Sequence, residues 1–259
     1  MNQQTLVLKF GGAALATSQH IESIADIVQK KTKETDHVAV VVSAMGKTTD
    51  QLIALAHEIH EAPPKREMDM LISVGERISM ALLAMALAKR GIKALSFTGS
   101  QSGIITSEEH SHAKIVDVRP NRIQKAFLEG NVAIVAGFQG VSKNGEITTL
   151  GRGGSDTTAV ALGIALDACY VAFYKDVPGL FSEDPKQSEM AKQIALATYD
   201  EVLHILKSGG KILHSRAVEM AKQHRIPLYI RSFCKEHGEQ ETQILDTSSS
   251  LHSTKRYEI

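Results

Sequence analysis

The feature that most constrains the fold is a repeated alternation between short apolar runs and amphipathic stretches. The runs are rich in β-branched residues, which is typical of strands buried on both faces of a parallel sheet. These predicted strands occupy residues 5–10, 37–43, 94–97, 131–138, 168–174 and 227–233. The stretches with helical periodicity occupy residues 18–32, 49–60, 66–90, 120–129, 155–167, 198–208 and 214–224. This alternation predicts an α/β protein, a three-layer αβα sandwich with a mostly parallel central sheet.

Two segments depart from the simple alternation. Residues 138–151 place Asn144-Gly145 between two short β-prone runs, and this pattern predicts a β-hairpin. The helix expected at 66–90 is unusually long and rich in Met, Leu and Ala. Such a helix is either central in the core or faces a second subunit, so a homodimer is a possible assembly.

Composition and charge exclude several classes of protein. The 259 residues include 29 basic and 29 acidic side chains, so no global field attracts nucleic acid or an anionic membrane. The two cysteines, Cys169 and Cys234, form neither a disulfide framework nor a metal-ligand pattern. The N-terminus does not resemble a signal peptide, and no apolar run approaches the roughly 20 residues that span a bilayer. We therefore expect a cytoplasmic protein with no nucleic-acid or membrane partner.

The first candidate site follows the first predicted strand, where Lys9 precedes the pair Gly11-Gly12. Paired glycines let the backbone approach a ligand closely, and the start of the next helix favours an anion. Lys9 adds a full positive charge at the same point. The segment is also compatible with an ordinary turn, and it lacks the glycine spacing of the Walker pattern.

The second candidate is the glycine-rich turn that opens the helix predicted at 155–167. Ser155 fits the N-cap position of that helix, and Asp156 lies in its first turn. Arg152 offers a planar set of donors suited to a carboxylate or phosphate. A plain turn and cap would explain the glycines and Ser155, but not Arg152 and Asp156 beside them.

Two weaker candidates lie further along the chain. The loop after the strand at 168–174 carries Asp176, Pro178-Gly179 and Phe181, at the strand end where open α/β sheets bind ligands. Gly209-Gly210 precedes Lys211, although glycines at this position also suit a helix C-cap. Phosphoryl transfer needs positioning and cations around the transferred group. Cations beside glycines at several strand ends therefore predict phosphate binding.

Together these segments resemble the amino acid kinase family and, within it, the catalytic domain of aspartate kinases. The matching motifs include VVSAMGKTTDQLI, LISVGERISMALLAMAL, ITTLGRGGSDTTAVAL and DVPGLFSEDPK, and the resemblance covers residues 5 to about 245. It implies the amino acid kinase fold in a catalytic domain at 1–245, followed by a polar tail at 246–259. It also implies a substrate lobe at about 1–150 and a nucleotide lobe at about 151–245. The regulatory domains that usually follow, with their lysine or threonine site, are not expected in this sequence.

The resemblance implies ATP-dependent phosphorylation of the side-chain carboxylate of L-aspartate, the first step toward lysine or diaminopimelate, threonine and methionine. Mg²⁺ would be held mainly by phosphates and water, so no protein ligand to a metal is predicted. The implied catalytic residues are Lys9, which would bridge the phosphates, and Asp156, which would orient it. The implied substrate-binding residues are Ser43, Thr48, Glu76, Arg152 and Ser155. The implied ATP-binding residues are Lys9, Gly11, Gly12, Gly153, Gly154, Ser155, Lys175, Asp176, Phe181, Asp184, Lys186 and Lys211.

Structural interpretations of two of these residues stay open, because Thr48 is also suited to cap a helix and Glu76 to pair with a cation on its own helix.

The sequence also departs from the family pattern. Ala13 and Ala14 replace hydroxyl residues, which predicts slower turnover, while Lys175 replaces Thr and Lys186 replaces Arg on the nucleotide side. These departures leave two alternatives: a kinase of another small acceptor, or a weakly catalytic regulatory protein that binds nucleotide or amino acid.

Overall fold

In a computed structural model, the described residues are 3–183, 190–210, 212–234, 238 and 240–246. The helices are α1 Ser18–Lys31, α2 Thr48–Ile59, α3 Lys65–Ile72, α4 Val74–Ala88, α5 Asn121–Leu128, α6 Gly154–Ala165, α7 Tyr199–Lys207 and α8 Ser215–His224. A short 3-10 helix also spans Gly12–Leu15.

The strands follow the predicted positions closely and add several short ones. They are β1 Thr5–Phe10, β2 His37–Val42, β3 Ala94–Phe97, β4 Ile104–Thr106, β5 Ile115–Val118, β6 Val132–Ala136, β7 Gln139–Ser142, β8 Ile147–Thr149, β9 Tyr170–Lys175, β10 Leu180–Phe181, β11 Gln193–Ile194, β12 Leu196–Ala197, β13 Leu228–Ser232 and β14 Glu241–Ile244. All six strands predicted from the apolar runs are present.

The main sheet has eight strands in the order β12-β14-β13-β9-β1-β2-β6-β3. Every pairing in it is parallel except that between β13 and β14. The strands β1 and β9 lie side by side at its centre, with Lys9 opposite Phe173 and Phe10 opposite Tyr174. The carboxyl ends of β1, β2, β6 and β9 therefore meet at one edge of the sheet.

Helices cover both faces of this sheet, which confirms the three-layer α/β prediction. On one face, α1 and α4 pack over side chains such as Leu8 and Val40. On the other, α6 and α8 pack over Val7 and Phe173. Because side chains alternate along a strand, Val7 and Lys9 both point to the α6 face.

A smaller sheet, in the order β5-β4-β7-β8, lies beside the main one. The strands β7 and β8 pair antiparallel around a turn in which Gly145 has φ of 84°. This confirms the hairpin predicted from Asn144-Gly145.

The helix predicted at 66–90 is wrong in one respect, because it is two helices that meet at Ser73. Ser73 keeps helical dihedral angles, and its N–H donates to the carbonyls of both Asp69 and Leu71, which tightens the last turn of α3.

The stretch Lys65–Ala88 is long and apolar enough to cross a membrane by length and composition alone. Half of its most apolar window is buried inside the protein, as in a core helix of a soluble protein, so this is weak evidence for a membrane span.

Candidate active site

The loops that follow β1 and β2 interlock at the carboxyl edge of the sheet. The N–H of Ser43 donates to the carbonyl of Phe10 (3.1 Å), and the N–H of Gly46 donates to that of Gly12 (3.0 Å). A Cβ on Gly12 would lie 3.0 Å from the carbonyl oxygens of Ala44 and Gly46. A side chain at Gly12 would therefore push these loops apart, which explains a glycine at this turn.

The centre of the site is an ion pair between Lys9 and Asp156. The Nζ of Lys9 lies 2.7 Å from Oδ1 of Asp156, and the two residues are only 5% and 6% exposed. The backbone N–H of His214 also donates to this carboxylate. Burial acts to raise the pKa of Asp156, but the charges of Lys9 and Lys175 outweigh it and hold the pKa below its ordinary value. Asp156 is therefore ionised at neutral pH.

A second lysine approaches the same carboxylate. Lys175 is the last residue of β9, and its Nζ lies 3.7 Å from Oδ2 of Asp156. Burial and the charge of Lys9 lower the pKa of Lys175 to about 8, although Asp156 acts in the opposite direction. A Cβ on Gly11 would lie 3.6 Å from Nζ of Lys9, in van der Waals contact, so a glycine at this position leaves that side of the ammonium group uncovered.

The glycine-rich turn enters α6 through two residues of left-handed conformation, Gly151 (φ 71°) and Gly153 (φ 72°). The predicted N-cap role of Ser155 is wrong, because Gly153 occupies that position and α6 begins at Gly154. Only glycine takes this left-handed conformation without strain. The N-cap therefore lies two residues before Ser155, and no side chain caps the helix. Asp156 lies in the first turn, as predicted, and Ser155 is buried against Gly137, where a Cβ would lie 2.8 Å from that of Ser155.

Glu76 is a buried carboxylate in the first turn of α4. Its Oε1 accepts the N–H of Ala44 (3.1 Å), while Oε2 is buried with no hydrogen-bond partner among the described residues. Burial raises the pKa of Glu76 to about 7, despite hydrogen bonds from the backbone and the charge of Lys9. The sequence left open an ion pair between Glu76 and a cation of its own helix. No such ion pair forms in the described part of the chain. Among the described residues Glu76 thus has no ion-pair partner, although the charge of Lys9 acts on it.

The other predicted substrate residues lie at separate points of the chain. Thr48 is the first residue of α2, and its hydroxyl donates to the carbonyl of Met45 (2.6 Å). The N-cap of that helix is Lys47, so the capping alternative for Thr48 is wrong. Ser43 is half-buried, and Arg152 is exposed on the turn between two glycines, with no ion-pair partner among the described residues.

The predicted nucleotide residues divide into three groups. Gly11, Gly12, Gly153, Gly154, Ser155 and Lys175 lie around the Lys9–Asp156 pair, as described above. Asp176 is exposed just after β9, and Phe181 is half-buried in a short antiparallel pairing of β10 with β11. Asp184, Lys186 and Lys211 lie outside the described residues.

The model of the amino acid kinase family matches residues 4–232. The chain belongs to the amino acid kinase family. A Geobacillus stearothermophilus protein named aspartokinase is 51% identical over 227 residues, which cover 88% of this chain and 56% of that protein. The chain thus spans about half the length of the curated relatives it matches.

Two solved structures share the fold of this amino acid kinase. Aspartate kinase from Synechocystis superposes with a TM-score of 0.84 at 41% identity, over 96% of this chain and 41% of that one. E. coli aspartokinase III, in complex with aspartate and ADP, also gives 0.84 at 26% identity, over 95% of this chain and 65% of that one.

Sequence reasoning missed Asp69, a fully buried carboxylate on α3. It accepts hydrogen bonds from Nδ1 of His110 (2.9 Å), from the N–H of Ser111 (3.0 Å), and from the N–H and hydroxyl of Thr149 (3.1 and 2.6 Å). It thereby ties the loop after β4 to the end of β8, two residues before Gly151. The available signal was a carboxylate between Met68 and Met70 in an apolar run.

Two histidines that sequence reasoning missed pack on the left-handed glycines. A Cβ on Gly153 would lie 2.1 Å from the ring of His214, and one on Gly151 would lie 2.9 Å from Nδ1 of His112. The turn that carries Arg152 is therefore held on both sides by side chains from other loops. No sequence pattern pointed to either contact, because the partners are distant along the chain.

Proposed function

We propose that this amino acid kinase transfers the γ-phosphoryl group of ATP to the side-chain carboxylate of L-aspartate, making 4-phospho-L-aspartate. Relatives about 50% identical over 88% of the chain are named aspartokinase, and a similar structure is described as a complex with aspartate and ADP. The product is an acyl phosphate, which fits the first step toward lysine or diaminopimelate, threonine and methionine.

The observation that carries the proposal is the buried Lys9–Asp156 ion pair at 2.7 Å, between two glycine turns. In the proposed step, an aspartate carboxylate oxygen forms a bond to the γ-phosphorus, and the bond from that phosphorus to the β,γ-bridging oxygen breaks. The electron pair leaves with ADP, and no proton has to move. Such a step needs cations and positioning rather than a general base, and this is what Lys9 and Asp156 supply.

Selection of the amino acid would depend on residues around the other end of the site. The unpartnered oxygen of Glu76 suits the ammonium group of aspartate, which would supply the missing counter-ion. The exposed guanidinium of Arg152 suits a carboxylate, because its donors match both oxygens of that group. Ser43, Thr48 and Ser155 keep their predicted role as substrate-binding residues.

The nucleotide would arrive as its magnesium complex, so Mg²⁺ would enter the site as part of the substrate. Among the described residues, no group of three or more His, Cys, Asp or Glu side chains is placed to hold a metal ion. We expect the ion to be held mainly by phosphate oxygens and water. Gly153, Gly154, Lys175, Asp176 and Phe181 keep their predicted nucleotide role, as do Asp184, Lys186 and Lys211 outside the described residues.

A coupled ADP-release assay with MgATP and L-aspartate tests the proposal. We expect Lys9→Ala to lower kcat by at least about 100-fold while KM for aspartate changes little, because the lost charge acts on the transferred group. The matched control is Lys33→Ala, which removes an exposed lysine after α1. Equal losses in kcat and aspartate affinity would contradict the role of Lys9.

The same assay with other acceptors discriminates the alternatives. Absence of ADP release with millimolar L-aspartate, together with release for another small acid, would replace the proposed acceptor. Nucleotide binding by calorimetry without ADP release for any acceptor would favour the regulatory alternative, which Ala13, Ala14 and Lys175 motivate. Ala14 is buried in the α1–α4 core, so a hydroxyl there would have to be accommodated by packing.

Three further predictions remain untested: the division into two lobes near residue 150, the cytoplasmic location and the homodimer. The main sheet runs without interruption from β9 to β1, across the predicted lobe boundary. The homodimer is favoured by a stripe of partly exposed apolar side chains on α3 and α4: Met70, Val74, Ile78, Leu82 and Met85.

A further inference from the structure

Two lysines converge on one carboxylate at the carboxyl edge of the sheet. Lys9 and Lys175 come from adjacent parallel strands, and Lys9 lies opposite Phe173 in the register. Lys175 is two residues beyond Phe173, so both side chains point to the face of the sheet that α6 covers. The first turn of α6 places Asp156 between them, with Nζ–O distances of 2.7 and 3.7 Å.

The charges of this trio do not balance. One carboxylate offsets one ammonium group, so the trio carries a net charge of +1 when both lysines are protonated. The side chains of Lys9, Asp156 and Lys175 are 6%, 8% and 20% exposed, so little water reaches the excess charge. Asp176, in the loop that follows Lys175, adds a weaker favourable charge.

We propose that Lys175 is a second cationic residue that contacts the transferred phosphoryl group, in addition to Lys9. Its longer distance to Asp156 makes it the weaker of the two ion pairs, and its greater exposure leaves it the more accessible ammonium. An incoming phosphate would draw Lys175 away from Asp156, while Lys9 keeps that carboxylate as its partner. This assignment rests on the proposed function for its kinetics, but not for its effect on nucleotide binding.

The lowered pKa of Lys175, about 8, supports the proposal through its pH dependence. In the free enzyme Lys175 is mostly charged at pH 7 and loses its proton above about pH 8. Because kcat/KM for ATP reports the ionisation of the enzyme form that binds ATP, it should fall above that pH when aspartate is below saturation and ATP meets the free enzyme. Bound phosphate would stabilise the charged form, so kcat itself should fall only at higher pH.

The test compares wild-type protein with Lys175→Met and Lys175→Arg, and with Lys33→Met as the control. Affinity for the magnesium complex of a non-hydrolysable ATP analogue, and for MgADP, is measured by calorimetry. A lost hydrogen bond to a charged group corresponds to about a 10- to 150-fold change in binding. We expect a loss in this range for the ATP analogue with Lys175→Met and a smaller one for MgADP, which lacks the γ-phosphate. Lys175→Arg should retain part of the affinity.

The kinetic part of the test uses the pH profile. With Lys175→Met, the fall of kcat/KM for ATP above about pH 8 should disappear. A Met variant that binds the analogue as tightly as wild type and keeps the high-pH fall would overturn the proposal and leave Lys175 as a structural partner of Asp156. If Lys175→Met does not fold, as judged by circular dichroism, the Arg variant decides by the same two measurements.

The outcomes for the two proposals are distinguishable. A wild-type protein that binds the ATP analogue through Lys175 but releases no ADP with aspartate would refute the aspartate proposal alone. Turnover of aspartate that is unaffected by Lys175→Met would refute the role of Lys175 alone.

Discussion

Replacing Glu76 by Gln should make the protein more stable at neutral and alkaline pH while weakening its function. Glu76 is 3% exposed, makes one hydrogen bond to the N–H of Ala44 through Oε1, and has no partner for Oε2 among the described residues. Its pKa is about 7 in the folded protein against an ordinary value of 4.5. The folded state therefore holds a proton that the unfolded chain has already lost between these two values.

The sign and size of the effect follow from this difference. Below pH 4.5 both states are protonated, and Glu76 has no pH-dependent cost. As pH rises from 4.5 to about 7, the unfolded state ionises first and the free energy of unfolding falls. Each unit of difference between the two pKa values corresponds to about 1.4 kcal/mol. Above pH 7 the buried carboxylate therefore reduces the free energy of unfolding by on the order of 3 kcal/mol. Gln keeps an acceptor for the Ala44 N–H but never ionises, so it removes this cost.

Urea unfolding of both proteins, monitored by circular dichroism, measures the difference. We expect Glu76→Gln to be more stable by about 1 kcal/mol at pH 5 and about 3 kcal/mol at pH 8. The control is Glu58→Gln, an exposed carboxylate on α2, which should change stability by less than about 0.5 kcal/mol at both pH values. A difference for Glu76→Gln that is the same at pH 5 and pH 8, or a loss of stability at pH 8, would refute the reasoning.

Activity should change in the opposite direction. The ionised carboxylate is the form that suits an ammonium group, so kcat/KM for aspartate in the wild-type protein should rise with pH through about 7. Glu76→Gln should lower that value by at least about tenfold at pH 8, as expected for loss of a charged hydrogen bond. Bound aspartate should also stabilise the wild-type protein more than the variant, because only the wild type gains a counter-ion.

Two further substitutions probe the loops that hold the site. Asp69→Asn should reduce the free energy of unfolding by about 3 kcal/mol in urea titrations, because the amide group would face some of the donors whose hydrogen bonds the buried carboxylate accepts. The substitution should also raise KM for aspartate more than KM for ATP. Equal changes in the two KM values would contradict the link between Asp69 and the Arg152 turn. Gly153→Ala should lower kcat and reduce thermal stability, because its Cβ would lie 2.1 Å from the ring of His214. Gly145→Ala is the control, because Gly145 has a similar positive φ but open space around it. This control should cost only about 1–2 kcal/mol of backbone strain. An equal effect of both substitutions would show that the contact with His214 is unimportant.

The main strands and most helices were predictable because each is specified by its own local pattern. Runs such as TLVLKF and HVAVVV contain enough β-branched and apolar residues to indicate buried strands. In the structure Thr17 and Thr198 cap α1 and α7, a local signal that the sequence analysis did not use. Short strands such as β10, β11 and β12 have two residues each, too few for any period to be recognised.

The break at Ser73 was not predictable for a different reason. Ser73 has helical dihedral angles, so the apolar period continues across it, and only the hydrogen-bond pattern separates α3 from α4. The N-cap of α6 was misplaced by two residues because Ser155 is a suitable cap by composition, whereas the actual cap is Gly153 in its left-handed conformation.

For the site, the sequence indicated residues that combine charge with glycine, such as Lys9 and Asp156. It did not indicate Asp69 or His214, because their roles depend on contacts with loops more than 40 residues away along the chain. Nor did it indicate the lack of a counter-ion at Glu76, which follows from burial rather than from residue type. Tertiary contacts, not local pattern, supply this part of the site.

The pairing of β1 with β9 has a consequence for how the site responds to its ligand. The two lysines are anchored on neighbouring strands of one hydrogen-bonded sheet, whose axes lie about 4.8 Å apart. Their mutual repulsion is therefore opposed by the sheet and by Asp156 as the chain folds, before any nucleotide is present. Lys9 and Asp156 therefore have little reorganisation left to perform when phosphate charge arrives, and only the Lys175 side chain has to shift. Charges that are fixed in advance in this way accelerate a reaction most.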